Sequence, residues 1–114
     1  MNNLIYVAGK LEANNYSEFV WNIGDMLKAG IKLVEKGYAP FVPCSTILMG
    51  IVAGNWDYED YFSMVSPFIK VCDSFLFLSE SPGANREWIE ATELKKAIYY
   101  LVDEVPDISE RLKG

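Results

Sequence analysis

The residues best suited to chemistry in this sequence are carboxylates, because the chain contains no histidine. Serine- and cysteine-type triads in their usual form need an imidazole, so Asp and Glu are the expected acid–base groups. One glutamate, Glu87, ends the stretch SPGANRE at 81–87, which lies between an apolar run and a helical pattern. A glutamate held there, near the edge of a sheet, is a candidate nucleophile.

Helical geometry separates Glu87 from the two glutamates that follow it. The apolar stripe of the predicted helix consists of Ala84, Trp88, Ala91, Leu94 and Ile98. At about 100° per residue, Glu87 lies roughly 40° from the centre of this stripe, whereas Glu90 and Glu93 lie about 100° and 160° away. Glu90 and Glu93 are therefore expected to face solvent or the rim. A carboxylate on an apolar face, like that of Glu87, must find partners or its pKa rises.

The beginning of the same helix has the features of an anion site. Ser81 is a suitable N-cap, and Gly83 permits close approach of the backbone to a ligand. Free N–H groups in the first turn, around Ala84 and Asn85, favour a phosphate or a ligand carboxylate. The alternative is that Glu87 only offsets the helix dipole and has no other role.

Two other stretches contain candidate residues, each with a structural alternative. In IYVAGK, Tyr6 is either a core tyrosine or a hydroxyl at the sheet edge aimed at a substrate or at Glu87, and Gly9 opens the turn. Lys10 either attracts an anion or is an ordinary exposed lysine. The candidates in NWDYEDYF are Trp56, Asp57 and Asp60. The two aspartates either cap a helix or face a pocket, where the tryptophan would stack on a flat ring.

Composition limits the classes of function. A length of 114 residues suits one domain, 1–114, and a net charge of −6 without a basic run argues against binding of nucleic acid polymers. Cys44 and Cys72 match no metal-ligand spacing, so a reduced cytoplasmic protein without metal or cofactor is expected. No stretch is long and apolar enough to predict a membrane span.

The order of elements predicts an α/β fold. The predicted strands are NLIYVAG, YAPFVP, SFLFLS and AIYYLV. The predicted helices run from about Tyr16 to Lys36, from a cap at Asn55 or Asp57 to about Val71, and from SPG to about Lys96, with a short tail helix in DISERLKG. The apolar residues that recur at helical spacing in the first of these, and so predict its buried face, are Phe19, Ile23, Met26, Leu27, Leu33 and Val34. The run 44–56 is expected to form a short helix and loop, and Pro67 to kink its helix or start a new turn. This alternation predicts a parallel sheet with helices on both faces, with ligands bound after Gly9 and after Ser79.

Three stretches in this order, IYVAGK, CDSFLFL and SPGANREWIEA, resemble the nucleoside 2-deoxyribosyltransferase superfamily. This superfamily includes the 2′-deoxynucleoside 5′-monophosphate N-glycosidases and small, often phage-encoded relatives. The resemblance covers nearly the whole chain, and its best motif comprises Ser81, Gly83, Glu87 and Ala91. It implies a flavodoxin-like three-layer sandwich with a four- or five-stranded parallel sheet.

The resemblance also implies a reaction, in which the bond between the sugar and the base is broken and the sugar passes to water or to a second base. Glu87 matches the nucleophile that attacks C1′ of the sugar. Tyr6 matches a tyrosine beside that nucleophile, and Gly9 matches a position in the loop that lines the sugar. Ser81, with the N–H groups of Gly83 and Ala84, would suit a 5′-phosphate. The implied substrate is a nucleoside or nucleotide, and the implied assembly is a homo-oligomer of two or more chains.

The sequence departs from the family pattern at two positions. Lys10 replaces a proline, and Val65 stands where relatives have an aspartate that helps the base to leave. Asp57 or Asp60 would have to replace that acid. A nucleotide-binding or sensing module without catalysis is therefore the alternative function. An interaction protein, which would use the apolar run TILMGIVAG at 46–54, is the third hypothesis.

Overall fold

A computed structural model describes residues 2–110 and shows an α/β fold with a four-stranded, fully parallel sheet. The strands are β1 (Leu4–Ala8), β2 (Ala39–Phe41), β3 (Ser74–Phe77) and β4 (Ala97–Tyr99). Their order, β2-β1-β3-β4, corresponds to the flavodoxin-like arrangement. The predicted flavodoxin-like sandwich is thus confirmed, with four strands.

Helices lie on both faces of the sheet. They are α1 (Tyr16–Glu35), α2 (Cys44–Ala53), α3 (Tyr58–Val71) and α4 (Pro82–Glu93), followed by a 3-10 turn at Val102–Glu104. Helix α1 covers one face, whereas α3 and α4 pack side by side on the other. None of the helices within residues 2–110 is long and apolar enough to cross a lipid bilayer.

The alternation of side chains along β1 supplies both halves of the core. Ile5 and Val7 join Met26 and Leu33 of α1 on one face, because successive side chains of a strand point to opposite faces. Tyr6 and Ala8 face the other way, together with Val65 and Ile69 of α3, Phe75 of β3, and Ala84 and Ala91 of α4. A single buried strand therefore places Tyr6 beneath the α3–α4 layer.

Helix boundaries follow the predicted local signals. Asp57 is the N-cap of α3, and its side chain accepts a hydrogen bond from the N–H of Asp60. Ser81 is the N-cap of α4, with Pro82 in the first turn. Gly37 follows α1 with a φ of 100°, the left-handed conformation that glycine adopts without strain.

Several details of the predicted elements were wrong. Helix α4 ends at Glu93, and Ile98 lies in β4 instead of on the apolar stripe of the helix. Leu27 and Val34 of α1, predicted from spacing to be buried, are 47% and 59% exposed. Helix α3 continues through Pro67 as one helix, so no new helix begins there, and the alternative, a kink at Pro67, stays a prediction. Half of the predicted tail helix, residues 111–114, lies outside the described residues.

The run 44–56 forms one ten-residue helix, α2, before a loop at 54–57. Gly50 of α2 packs under Tyr61, where a Cβ would lie only 1.9 Å from the tyrosine hydroxyl. The outer side of α2 exposes Leu48, Ile51 and Val52. These residues remain the predicted site of a subunit contact.

Candidate active site

The central contact of the site joins Tyr6 and Glu87. The Tyr6 hydroxyl donates a hydrogen bond to Oε1 of Glu87, as the sequence analysis expected for a hydroxyl aimed at that residue. Tyr6 is fully buried on β1, with its ring between those of Phe41 and Phe75 at centroid distances of 5.5 and 5.4 Å. Packing on both sides fixes the ring, so the hydroxyl has a defined direction.

Helix α4 holds the other partner at the carboxyl edge of the sheet. Ser81 Oγ accepts a hydrogen bond of 3.0 Å from the N–H of Ala84, which anchors the first turn. Ala84 and Ala91 are buried, and these small side chains bring the helix close to the sheet. Glu87 lies between them in sequence, and its carboxylate therefore reaches Tyr6 from above.

Glu87 opens onto a cavity of about 350 Å³ at the β1/β3 edge. Of the predicted site residues, the cavity wall includes Gly9, Trp56, Asp57, Ser81, Gly83, Ala84 and Glu87. The neighbouring strands β1 and β3 lead in sequence to α1 and α4 on opposite faces, so this edge is the switch point at which open α/β sheets bind ligands. Tyr6 supports the wall from beneath through its bond to Glu87.

Burial changes the acidity of Glu87. Loss of solvent around the half-buried carboxyl raises its pKa from 4.5 to about 7, and the negative charge of Glu90 adds to this rise. The hydrogen bond from Tyr6 acts in the opposite direction, because it favours the charged form. Burial and the adjacent carboxylate raise the pKa of Tyr6 above its ordinary value, so its hydroxyl remains a donor. The carboxyl can thus exist in both charge states near neutral pH.

Three predicted residues lie away from the cavity wall. Lys10 borders a separate, smaller depression with Asn22 and Ser79, and its Nζ lies 4.0 Å from Glu18. The side chain of Asp60 completes a capping box at the start of α3 by accepting from the N–H of Asp57 at 2.8 Å. Asn85 is exposed on α4.

Asp57 combines the two roles that the sequence left open. It borders the cavity, and its Oδ1 accepts a 3.0 Å hydrogen bond from the N–H of Asp60. One carboxylate oxygen is therefore used as a helix cap. The contribution of Asp57 to catalysis remains a prediction.

The cavity wall also contains residues that sequence analysis missed. They are Leu11, Glu12, Pro43, Thr46, Ile47, Tyr58, Tyr61 and Phe62. Val65, which the resemblance placed at the position of an acid, also borders the cavity. Most of them belong to α2 and α3 or to the loop after β1. The signal was the aromatic spacing in YEDYF, because Tyr58, Tyr61 and Phe62 fall on one side of a helix at 3.6 residues per turn.

A salt bridge holds one of these aromatic residues in place. Arg86 forms a bidentate pair with Glu59, at 2.6 and 3.2 Å, and its guanidinium lies 3.8 Å from the centroid of the Phe62 ring. The Tyr58 ring lies against Gly83, where a Cβ would approach it to 3.2 Å, and its hydroxyl donates weakly to the Gly83 carbonyl at 3.4 Å. Gly83 thus admits Tyr58 to the mouth of the cavity.

The charged groups on the cavity wall all have one sign. Glu12, Asp57 and Glu87 contribute carboxylates, and the wall formed by the described residues has no Lys or Arg. Within residues 2–110, no three Cys, Asp or Glu side chains cluster so that they could hold a metal ion. The site therefore offers carboxylate chemistry in a mainly apolar and aromatic surrounding.

Glu90, which was expected to face solvent or the rim, does not point freely into solvent. Its side chain is partly buried between α3 and α4, where Oε1 accepts a 2.7 Å hydrogen bond from Ser66 Oγ. A helical count placed Glu90 off the apolar stripe, but it could not show that α3 covers that flank of α4. Glu93, by contrast, is exposed as predicted.

A scan against protein-family models finds no match for this chain, and searches of curated proteins and of solved structures find no significant match either. The geometry around Glu87 is therefore the basis on which a function can be proposed.

Proposed function

We propose that this protein cleaves the N-glycosidic bond of a nucleoside or nucleoside 5′-monophosphate, or transfers its deoxyribosyl group, with Glu87 as the nucleophile. The observation that carries the proposal is the Glu87 carboxylate, which lines a cavity at the sheet's switch point and is held from beneath by Tyr6. The resemblance in the three sequence stretches supports the same assignment.

The reaction follows from the chemistry of a carboxylate beneath an anomeric carbon. An oxygen of ionised Glu87 forms a bond to C1′ as the C1′–N bond breaks, and the electron pair of that bond leaves with the base. The departing nitrogen takes a proton from Asp57 or from water. Water then attacks C1′ and gives a proton to Asp57 or to solvent while the ester bond to Glu87 breaks, and the carboxylate is restored. A second base in place of water would give transfer.

The aromatic wall suits the leaving base. Trp56 and Tyr61 lie edge to face at a centroid distance of 5.4 Å, and both border the cavity. Flat aromatic side chains stack on nucleobases and contribute about 1–3 kcal/mol per base. The base would therefore occupy the side of the cavity near α2 and α3, with the sugar over Glu87.

A second candidate function is nucleotide binding without catalysis. Val65 is buried in the cavity wall at the position where the resemblance leads one to expect an acid. If neither Asp57 nor Glu12 can protonate the base, the cavity would bind a nucleoside without cleaving it. Both functions use the same wall, but they differ in turnover.

Incubation with a panel of nucleosides and 5′-monophosphates tests the proposed function. We expect release of free base, and rapid quenching followed by mass spectrometry should find a glycosyl adduct on the peptide that contains Glu87. Because the wall has carboxylates and no described cation, nucleosides should react faster than their monophosphates.

The same panel distinguishes the two candidates by thermal denaturation. A nucleoside at a hundredfold excess over its Kd stabilises a protein by about 2.7 kcal/mol. Stabilisation without base release would overturn the glycosidase proposal in favour of the binding module. Neither stabilisation nor release with any member of the panel would reject both.

Replacement of Tyr6 by phenylalanine should shift the pH dependence of base release. The hydrogen bond from Tyr6 lowers the pKa of Glu87, so its loss should move the acid limb of the profile above its position near pH 7. We expect activity at pH 7 to fall about tenfold, because a hydrogen bond to a charged group is worth about 1.5–3 kcal/mol, with partial recovery at pH 9.

Tyr16→Phe is the matched control, because Tyr16 is 81% exposed at the start of α1. Phenylalanine at position 6 keeps the ring between Phe41 and Phe75, so the fold should be retained. An unchanged acid limb in Tyr6→Phe would show that the hydroxyl does not act on the nucleophile.

A further inference from the structure

Glu90 is a half-buried glutamate that has no role in the proposed reaction. It follows Glu87 by three residues on α4, a spacing that brings Cβ atoms to about 5–6 Å on a helix. Its Oε1 accepts from Ser66, but its Oε2 is buried and has no hydrogen-bond partner in the described structure. An unsatisfied carboxylate oxygen is costly in a folded protein, so Glu90 does not stabilise the fold through its Oε2.

We propose that Glu90 is a positioning residue. Its negative charge, one helical turn from Glu87, repels the ionised nucleophile, and this repulsion ends when Glu87 bonds to C1′. This inference rests on the proposed function. Formation of the ester removes the charge of Glu87, so a fixed negative neighbour raises the energy of the free carboxylate more than that of the ester. Glu90 thereby favours attack of the Glu87 carboxylate on C1′.

The hydrogen bond from Ser66 holds Glu90 in the place that this role requires. Ser66 Oγ donates at 2.7 Å from α3, which ties the Glu90 carboxylate to the neighbouring helix. The raised pKa of Glu87, to which the charge of Glu90 contributes, agrees with the geometry. Repulsion persists because no Lys or Arg within residues 2–110 forms an ion pair with Glu90.

Other titratable groups face this pair from three sides. Tyr6 contacts Glu87 from β1, and Tyr58 lies near Glu87 from α3. The thiol of Cys72, at the end of α3, lies near Tyr6, and burial raises its pKa to about 11, so it stays neutral. The carboxylates of Glu12 and Asp57 lie on the cavity wall that they share with Glu87.

Lys96 is a cation near the same layer, and its ammonium group is hydrogen-bonded to a backbone carbonyl. Lys96 lies close enough to affect the thiol of Cys72, and its Nζ donates to the carbonyl of Lys70 at 2.8 Å. A substitution that removes the charge of Glu90 is therefore expected to lower the pKa of Glu87 without disturbing the direct contacts of Glu87.

The Glu90→Gln variant tests the proposal, because glutamine can still accept the hydrogen bond from Ser66. We expect the acid limb of base release to move about one pH unit lower, as the Glu87 anion loses a like-charged neighbour. Above the acid limb, the rate of glycosyl-adduct formation should fall about fivefold. Glu93→Gln, which removes an exposed charge from the same helix, should change neither quantity.

A second measurement does not depend on turnover. The side-chain carboxyl of Glu87, followed by carbon-13 NMR in the free protein, should titrate about one unit lower in Glu90→Gln than in the wild type. An unchanged titration would overturn the proposal, whatever the activity. If the wild type releases no base but the NMR titration shifts as expected, the glycosidase function would be rejected, whereas the electrostatic coupling of Glu90 to Glu87 would stand.

Discussion

Replacement of Glu87 by glutamine should reduce base release by a factor on the order of 10³ or more, because the amide cannot form the glycosyl ester. Glutamine has the shape of the acid and keeps an oxygen that can accept the hydrogen bond from Tyr6. The cavity should therefore still bind nucleosides. The glycosyl adduct on the Glu87 peptide should be absent.

Initial rates of base release by wild type, Glu87→Gln and Glu93→Gln measure this effect. Glu93 lies on the exposed side of the same helix, so its substitution should leave the rate within about twofold of the wild type. Thermal denaturation with the best nucleoside checks that the Glu87 variant still binds. A Glu87→Gln enzyme with wild-type turnover would mean that another group attacks C1′.

Most of the fold could be predicted from the sequence, because apolar strands alternate with amphipathic helices. The runs around Tyr6 and Phe75 have no polar alternation, which is typical of strands buried on both faces. Caps at Asp57 and Ser81 were readable from local chemistry. The exposure of Leu27 and Val34 could not be predicted, since spacing alone does not show how narrow a stripe of the helix the sheet covers.

The candidate site was predictable where a single element determines it. The direction of Glu87 follows from one helix, and its meeting with Tyr6 follows from the parallel edge that both elements share. The aromatic wall and the burial of Glu90 depend on how α2, α3 and α4 pack against one another. Aromatic spacing in YEDYF marks one side of α3, but spacing within one helix does not show which neighbouring helix covers a given side, so the positions of Tyr61 and Glu90 were not predicted.

The substitution Glu87→Gln should also stabilise the protein at alkaline pH. The pKa of Glu87 rises from 4.5 in the unfolded chain to about 7 in the folded protein. Between these values the unfolded state releases a proton that the folded state retains, so the wild type loses stability as the pH rises. Above pH 7 the full shift corresponds to about 3 kcal/mol. Partial exposure of the side chain lowers the expected effect to about 2 kcal/mol.

Glutamine cannot ionise, so the variant should escape this loss. Urea unfolding from pH 5 to pH 9 should show a gain of about 2 kcal/mol above pH 7 that shrinks to less than about 1 kcal/mol at pH 5. Glu93→Gln should show no such pH dependence. A gain that is constant with pH would place the effect in packing instead of in the carboxyl charge. Loss of activity together with this gain would identify Glu87 as a residue kept for function at the expense of stability.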